Sequence, residues 1–323
     1  MTVKVGFIGA GTIAELHLKA LAQVEQAQIS AIFDVNTQRA QQASEQYGAK
    51  SYESAEALLD SGEVDAVFIC TPPFARDGLE EAAVARGIHL LVEKPVGLQL
   101  EQAKRKEQLI LESGLIHSSG YCLRYLDIVQ QAKEYLKDKQ VDLVLAYRIG
   151  SAPPLTWWSK LELSGGQLVE QSTHQLDLIR YLAGEFKAVQ AIHELRSSML
   201  AIDPDATAYD VGTVAFELQS GAIGNITSTS VSKYVGRGEV ELFGDGFYVS
   251  LKGAALRIVD DSQDITIKSR DQYYFKQDQA FIEAVRLNDQ SLVLGSYSEA
   301  VATLAVTLAA NESAASRSRV EIS

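Results

Sequence analysis

The sequence is poor in cysteine and has no long apolar run. Cys70 and Cys122 are its only cysteines among 323 residues and show no metal-binding spacing, which fits a reducing compartment. No apolar run approaches the roughly 18–20 residues that a membrane-spanning helix needs. The apolar pattern of residues 3–8 predicts a strand close to the first residue, so we expect no signal peptide before it. These absences predict a cytoplasmic protein that does not cross a membrane.

Positive charge is also scarce. The chain has 29 Lys and Arg against 42 Asp and Glu, a formal net charge of −13. Such an excess of negative charge disfavours nucleic acid and anionic membrane surfaces as partners. The five histidines are scattered, at positions 17, 89, 117, 174 and 193, so no sequence-local metal site is predicted.

The length and composition are those of an ordinary globular protein. A chain of 323 residues suggests two domains, and 46% hydrophobic residues can supply their cores. No repeat, low-complexity tract or long linker separates the halves. We predict a first domain over residues 1–120 and a second over 121–323.

A glycine-rich segment follows the first predicted strand. Val3–Ile8 is apolar, and Gly9-Ala-Gly11-Thr-Ile-Ala14 leads from it into a helical pattern. In such a motif the first glycine allows the tight turn, and the second lets a pyrophosphate approach the backbone. The first helical turn, with Thr12 and Ile13, offers its N–H groups to the phosphates. The motif therefore predicts a dinucleotide site.

The second strand ends in Asp34, 23 residues after Gly11. An acidic residue at about this distance accepts the adenosine ribose hydroxyls and repels a 2′-phosphate. We therefore predict NAD rather than NADP. Arg39 is the complication, since an arginine there could stack on adenine or contact a phosphate. Asp34 could equally serve as the N-cap of the following helix.

Strands and helices alternate through the rest of the first domain. Buried strands end in Thr71-Pro-Pro73 and in Glu93-Lys94-Pro95, and this alternation predicts a doubly wound parallel sheet, the Rossmann arrangement. Ligands of such sheets bind beyond the carboxyl ends of the strands. We thus predict Thr71, Pro73, Glu93 and Lys94 as cofactor contacts. Alternatively, Lys94 is a surface charge before a proline turn.

Residues 165–182 begin with two glycines and continue with helical periodicity. At about 100° per residue, four polar side chains fall on one face, opposite an apolar side. The polar residues are Glu170, His174, Asp177 and Tyr181. One interpretation is a solvated face on which carboxylates hold the histidine. The other is a general base, because the charge of histidine switches near neutral pH.

The remainder of the second half predicts strands and two terminal helices. Pairs of alternating segments flank Ser220-Gly221 and Gly244-Asp-Gly246, which are hairpin signals. A proline-rich loop before this region contains Trp157 and Trp158, whose side chains cannot point the same way on an extended chain. We predict one of them in the core and the other, Trp158, stacked on a sugar.

Taken together, the glycine motif, Thr71-Pro-Pro73, Glu93-Lys-Pro95, Gly120-Tyr-Cys-Leu-Arg-Tyr125 and Gly165-Gly…Glu170…His174…Asp177 resemble the glucose–fructose oxidoreductase/inositol dehydrogenase/MocA family. The resemblance covers nearly the whole chain. It implies an N-terminal Rossmann domain and a C-terminal α/β domain with a large, mostly antiparallel open sheet. It also implies a homodimer or homotetramer formed through that sheet.

The resemblance further implies roles for single residues. His174 matches the family's catalytic histidine, and Lys94 the lysine that helps to bind cofactor and substrate. Glu170 matches a position usually held by aspartate, and Asp177 the aspartate that orients substrate. Tyr121 and Arg124, in the Gly120–Tyr125 motif, are predicted to contact substrate as well.

Three departures from the family pattern affect the choice of substrate. Glu170 is one methylene longer than the usual aspartate, and Arg76 stands where a histidine is common. Ser172-Thr173 replaces a glycine and an apolar residue before the histidine. None of them removes a reacting group.

The resulting hypothesis is a nicotinamide-dependent oxidoreductase that acts on a secondary alcohol of a sugar, polyol or sugar derivative. Two alternatives remain open: an NAD-dependent glycosidase that oxidises the sugar transiently, and a cofactor-sensing regulator without catalysis. The joint presence of Lys94, Glu170, His174 and Asp177 speaks against the regulator, because a sensor needs no base.

Overall fold

A computed structural model describes residues 2–322 and divides them into two compact units. The first unit extends to Tyr125 and also contains Gln272–Val301, and the second contains Leu126–Asp271 and the residues from Ala302 onward. The first boundary lies five residues beyond the predicted one, at residue 120. Residues 272–301, which the sequence analysis assigned to the second domain, pack within the first unit.

The secondary structure alternates in the first half and is rich in strands in the second. The strands are β1 (Val3–Ile8), β2 (Ala27–Phe33), β3 (Lys50–Ser51), β4 (Ala66–Ile69), β5 (His89–Val92), β6 (His117–Ser119), β7 (Leu143–Ile149), β8 (Phe186–Glu194), β9 (Val211–Leu218), β10 (Ile223–Thr229), β11 (Arg237–Gly244), β12 (Phe247–Lys252), β13 (Ala255–Asp260), β14 (Gln263–Lys268) and β15 (Val320–Glu321). The helices are α1 (Thr12–Leu21), α2 (Thr37–Tyr47), α3 (Ala55–Leu59), α4 (Leu79–Ala85), α5 (Leu100–Ser113), α6 (Asp127–Leu136), α7 (Leu161–Ser164), α8 (Thr173–Ala183), α9 (Ser198–Ile202), α10 (Tyr273–Leu287) and α11 (Tyr297–Ser316).

The first unit is built on a parallel sheet. Its strand order is β3-β2-β1-β4-β5-β6, the order of a doubly wound dinucleotide-binding sheet. Short apolar strands such as Ala66–Ile69 are buried along their whole length, because helices cover both faces of a parallel sheet. α10 completes the unit, since Phe281 and Ile282 join the same core as Phe7 and Phe68.

The second unit is built on a mostly antiparallel sheet with the order β14-β13-β12-β11-β7-β10-β9-β8-β15. β7 and β10 pair in parallel, and the remaining neighbours are antiparallel. Along β9, Val214, Phe216 and Leu218 are buried, while Ala215 and Glu217 on the other face are accessible. One face of the sheet therefore packs on the unit's core, as alternation predicts.

Both units confirm the predicted α/β fold, a Rossmann sheet and a large, mostly antiparallel open sheet. Within residues 2–322, none of the helices has the length and apolar character that crossing a bilayer requires.

Candidate active site

The glycine turn after β1 has the geometry that the motif predicts. Gly9 has a φ of +97°, and a Cβ at this position would lie 3.0 Å from the carbonyl carbon and oxygen of Cys70. Only glycine fits such a turn without strain. Gly11 is the N-cap of α1 and makes no side-chain cap, so the first N–H groups of the helix, among them those of Thr12 and Ile13, are available to an anion.

Asp34 connects the end of β2 to this turn. Its Oδ2 accepts a hydrogen bond from the Ala10 N–H at 2.7 Å, and its Oδ1 accepts one from the Asn36 N–H at 2.8 Å. The Arg39 guanidinium lies 3.6 Å from the same carboxylate. The N-cap of α2 is Asn36, whose Oδ1 accepts the Arg39 N–H, so the alternative of Asp34 as the cap is wrong.

Thr71 follows β4 at the neighbouring strand end. Its Oγ1 is buried and has no hydrogen-bond partner among residues 2–322. A buried hydroxyl without a partner is uncommon, because it loses its hydrogen bonds to water. The atom is therefore a fitting contact for a bound group. Pro73 begins a short 3₁₀ turn, Pro73–Ala75, directly after it.

Glu93 and Lys94 follow β5. The Glu93 side chain is buried, and its Oε2 accepts the backbone N–H of Lys94 at 3.0 Å. Gly120 packs directly on this carboxylate, because a Cβ there would lie 2.5 Å from the carboxylate atoms. Lys94 itself is half-buried, so its predicted roles and the alternative of a surface charge both stay open. The predicted cofactor contact of Glu93 stays a prediction.

His17, which the sequence analysis noted only as one scattered histidine, lies between two carboxylates. Its Nδ1 is 2.8 Å from Asp278 Oδ1, and its Nε2 is 3.0 Å from Glu93 Oε1. Two carboxylates require both ring nitrogens to donate, which is the protonated imidazolium. Burial by itself lowers the pKa of His17, but Asp278 and Glu93 outweigh it and raise this pKa to about 10.

A signal for this buried cation exists in the sequence. His17 falls on the apolar face of α1 together with Ala14, Leu18 and Leu21, and all four are buried. A histidine in that position needs polar partners. Periodicity cannot say that one of them is Asp278, 261 residues away.

The predicted helix over 165–182 begins differently in the structure. Residues Leu168–Ser172 form a π-helical turn, and the α-helix starts at Thr173. Glu170 therefore belongs to the π turn, while His174 and Asp177 belong to α8. π-helical turns inside or beside α-helices are frequent at functional sites.

The polar face of this segment is not a solvated surface. Glu170 and Asp177 are buried, at 8% and 1% exposure, and His174 and Tyr181 are half-buried. Thr303 of α11 donates to Asp177 Oδ1 at 3.2 Å and accepts from Arg180 Nη1 at 2.9 Å. The interpretation of an ordinary solvated face is therefore wrong. Of the four residues predicted for the apolar side, Val169, Leu176 and Ile179 are fully buried, whereas Leu182 is only half-buried.

Three residues predicted to contact substrate are buried. Tyr121 is 1% exposed, and Arg124, at 2%, donates to the Leu294 carbonyl and pairs with Glu299 at 2.8 Å. Trp158 is 3% exposed and lies in the core, whereas Trp157 is half-buried, which is the reverse of the predicted assignment of the two rings. The contacts of Tyr121 and Arg124 with substrate stay predictions.

Comparison with known proteins places both halves of the chain in one family. Residues 3–121 match the model described as "Oxidoreductase family, NAD-binding Rossmann fold", and residues 130–248 match the GFO/IDH/MocA C-terminal domain. The chain belongs to the Gfo/Idh/MocA family. This membership confirms the resemblance, the NAD-binding Rossmann domain and an oxidoreductase acting on CH–OH groups.

Relatives within the Gfo/Idh/MocA family include two inositol dehydrogenases. Myo-inositol 2-dehydrogenase of Thermotoga maritima is 28% identical over 249 residues, which are 75% of this chain and 73% of that protein. Inositol 2-dehydrogenase of Rhizobium meliloti is 24% identical over 345 aligned positions, spanning both chains completely. The solved structure of levoglucosan dehydrogenase in complex with NADH shares the fold with a TM-score of 0.91, at 20% identity and with full coverage of both chains.

The residues at the strand ends fit the dinucleotide that the family binds. The backbone at Gly9 and Gly11 leaves room for a pyrophosphate, and the buried Thr71 hydroxyl offers a hydrogen bond. Val35, next to Asp34, is 91% exposed, which gives an apolar surface beside the predicted ribose contact. The first unit therefore carries the elements of a nicotinamide-dinucleotide site.

Proposed function

We propose that this protein is an NAD-dependent dehydrogenase that interconverts a secondary alcohol and a ketone on a sugar, cyclitol or sugar derivative. The observation that carries the proposal is the arrangement of Gly9, Asp34, Thr71 and Lys94. They follow β1, β2, β4 and β5, which are adjacent parallel strands, so all four lie at the same edge of the sheet. Nucleotides bind at this edge in doubly wound sheets.

NAD rather than NADP is the cofactor that Asp34 favours. Its carboxylate is held in place by the N–H groups of Ala10 and Asn36, where a 2′-phosphate would meet negative charge. Arg39, the residue that would favour NADP, lies against this same carboxylate at 3.6 Å. When bound, the nicotinamide supplies the hydride acceptor or donor.

The protein's own groups handle the proton. In the direction of oxidation, the substrate carbon loses a hydride and its hydroxyl loses a proton, which leaves a ketone. His174 accepts that proton as general base, and the Lys94 Nζ donates a hydrogen bond to the same oxygen. Glu170 orients His174, and Asp177 binds a neighbouring hydroxyl. Removing the base is expected to slow the reaction about 10²–10⁴-fold.

Measuring NADH formation by absorbance, with NAD⁺ or NADP⁺ and a panel of inositols, aldoses and sugar nucleotides, tests the proposal. It predicts formation of reduced cofactor with NAD⁺ and one class of substrate. Reduction only with NADP⁺ would refute the cofactor assignment. Release of a sugar aglycone without net reduction of cofactor would indicate the NAD-dependent glycosidase instead, and cofactor binding without any reaction would indicate the regulator.

We further propose that the protein assembles as a homodimer or homotetramer through the open sheet. The face of this sheet opposite the core carries accessible apolar side chains, with Ile192 65% and Ile223 60% exposed. Ile223 stands directly opposite Leu143 of β7, which is 37% exposed. Adjacent exposed apolar side chains on a sheet face are typical of an interface. Sedimentation equilibrium tests the assembly, and a monomer at all concentrations would refute it.

A further inference from the structure

Arg76, the residue that departs from the family pattern, is buried at 3% exposure in the first unit. Its Nε and Nη2 donate to the Thr71 carbonyl, at 3.0 and 2.5 Å. Its Nη1 donates to the carbonyl of Pro95 at 2.5 Å and also to that of Glu93. All of these acceptors are backbone oxygens. Among residues 2–322, the guanidinium is thus bound to peptide groups and not to another side chain.

These carbonyls belong to two neighbouring strand ends. Thr71 follows β4, whereas Glu93 and Pro95 follow β5 and enclose Lys94. The Glu93 carbonyl belongs to the peptide group on the N-terminal side of Lys94. The Pro95 carbonyl belongs to the residue directly after Lys94. Arg76 therefore cross-links the Thr71 turn to the turn that carries Lys94, and it does so on both sides of the lysine.

Only arginine can make this set of bonds. A guanidinium is planar and carries five N–H donors in a rigid fork, which lets it bind separated acceptors at once. An ammonium group concentrates its donors at one atom, and an imidazole has at most two. The histidine common in the family could reach part of this set at most.

The electrostatic setting of Arg76 also differs from that of its neighbour Lys106. Lys106, likewise buried, forms an ion pair with Glu80 at 2.8 Å and donates to the Arg76 carbonyl at 3.3 Å. Arg76 forms no ion pair with any residue between 2 and 322. Burying a cation that is bound to carbonyl oxygens and not to a carboxylate costs free energy. The stability of the fold therefore does not explain why Arg76 lies there.

We propose that Arg76 is a positioning residue that sets the place of Lys94 relative to Thr71, and so aligns the lysine with the reacting oxygen. The inference rests on the proposed function, in which Lys94 binds that oxygen. The sequence analysis linked the arginine at position 76, where a histidine is common in the family, to the choice of substrate. The proposal assigns Arg76 a role in turnover instead.

A double-mutant cycle of Arg76→Met and Lys94→Met tests this role. Arg76→Met is expected to lower kcat on the order of ten- to a hundredfold, the effect of misplacing a catalytic group by about 1 Å. The double variant should be no slower than Lys94→Met alone, because Arg76 acts through the lysine. Effects of the two variants that multiply, or wild-type kcat in Arg76→Met, would overturn the proposal.

A second measurement does not depend on turnover. Arg76→Lys retains the positive charge but not the fork, which favours a folded protein should Arg76→Met fail to fold. We expect the rate at which acetic anhydride modifies Lys94, followed by mass spectrometry, to change severalfold in Arg76→Lys. Lys104→Met, which removes an exposed cation on α5 and leaves Arg76 and the Thr71, Glu93 and Pro95 carbonyls untouched, should leave that rate unchanged.

The two measurements separate the possible failures. If Lys94→Met keeps wild-type turnover but Arg76→Lys alters the labelling of Lys94, the proposed role of Lys94 is wrong and the positioning by Arg76 stands. If labelling of Lys94 is the same in wild type and Arg76→Lys, or if Lys104→Met alters it equally, Arg76 does not position the lysine.

Discussion

Replacing His17 by glutamine should destabilise the protein at neutral pH and have little effect at alkaline pH. His17 is fully buried, with Asp278 and Glu93 on its two ring nitrogens and the rings of Phe68 and Tyr274 packed edge-on at 5.3 and 5.0 Å. Glutamine has a similar volume and remains neutral at every pH. The substitution therefore removes the cation between two buried carboxylates while it keeps one donor.

The magnitude follows from the pKa of His17. The change from 6.5 to about 10 corresponds to stabilisation by protonation on the order of 5 kcal/mol at most. Breaking a buried ion pair by removing one partner costs about 3–5 kcal/mol, a range that agrees with the value derived from the pKa of His17. Because the pKa is higher in the folded protein, this stabilisation is fully present below pH 6.5 and is lost as the pH rises through about 10.

Urea denaturation of wild type and His17→Gln, near pH 6 and near pH 10, measures this difference. We expect the variant to be less stable by about 3–5 kcal/mol at the lower pH and the two proteins to converge at the higher pH. Lys19→Gln, an exposed charge on the same helix, is the control and should change stability by less than about 0.5 kcal/mol.

The reasoning would be refuted by a loss of stability in His17→Gln that is equal at both pH values. That result would mean that His17 is neutral in the folded protein and contributes only packing. Asp278, whose pKa burial raises, would then hold a proton in place of the imidazole.

Two further predictions concern the proposed reaction. His174→Ala should lower kcat about 10²–10⁴-fold and leave the affinity for NADH, measured by fluorescence titration, unchanged, because the base acts on the substrate proton; turnover near that of wild type would disprove the assignment. Asp34→Ser should reduce the preference for NAD⁺ over NADP⁺ in kcat/KM by removing the charge that repels a 2′-phosphate, with Arg39 then released to bind it. A preference that does not change would show that Asp34 serves only to hold the glycine turn through Ala10.

Sequence patterns that operate over a few residues predicted much of this molecule. The turn at Gly9, the strand ends at Asp34 and Thr71 and the hairpin at Gly244-Asp-Gly246 all lie where they were expected. Each depends on local backbone geometry or on alternation along a single strand, which a window of a few residues contains.

Helix phase was predicted less well. The apolar side of the segment around His174 is buried as expected except at Leu182, which is half-buried. The π turn at Leu168–Ser172 shifts Glu170 out of the α-helical register. A periodicity argument assumes one constant rotation per residue, so it cannot detect an extra residue in a turn. The burial of Asp177 was missed for a related reason, because Thr303 of α11, which donates a hydrogen bond to its carboxylate, lies 126 residues away.

The sequence by itself determined the α/β class, the nucleotide-binding edge of the first sheet and the residues offered to a cofactor, because these follow from local conformational preference and strand order. Only the tertiary structure decided that Arg76 binds three backbone carbonyls, that His17 is a buried cation between Glu93 and Asp278, and that residues 272–301 complete the first unit. A charged side chain takes its role from the groups that surround it after folding, and most of those groups are distant along the chain.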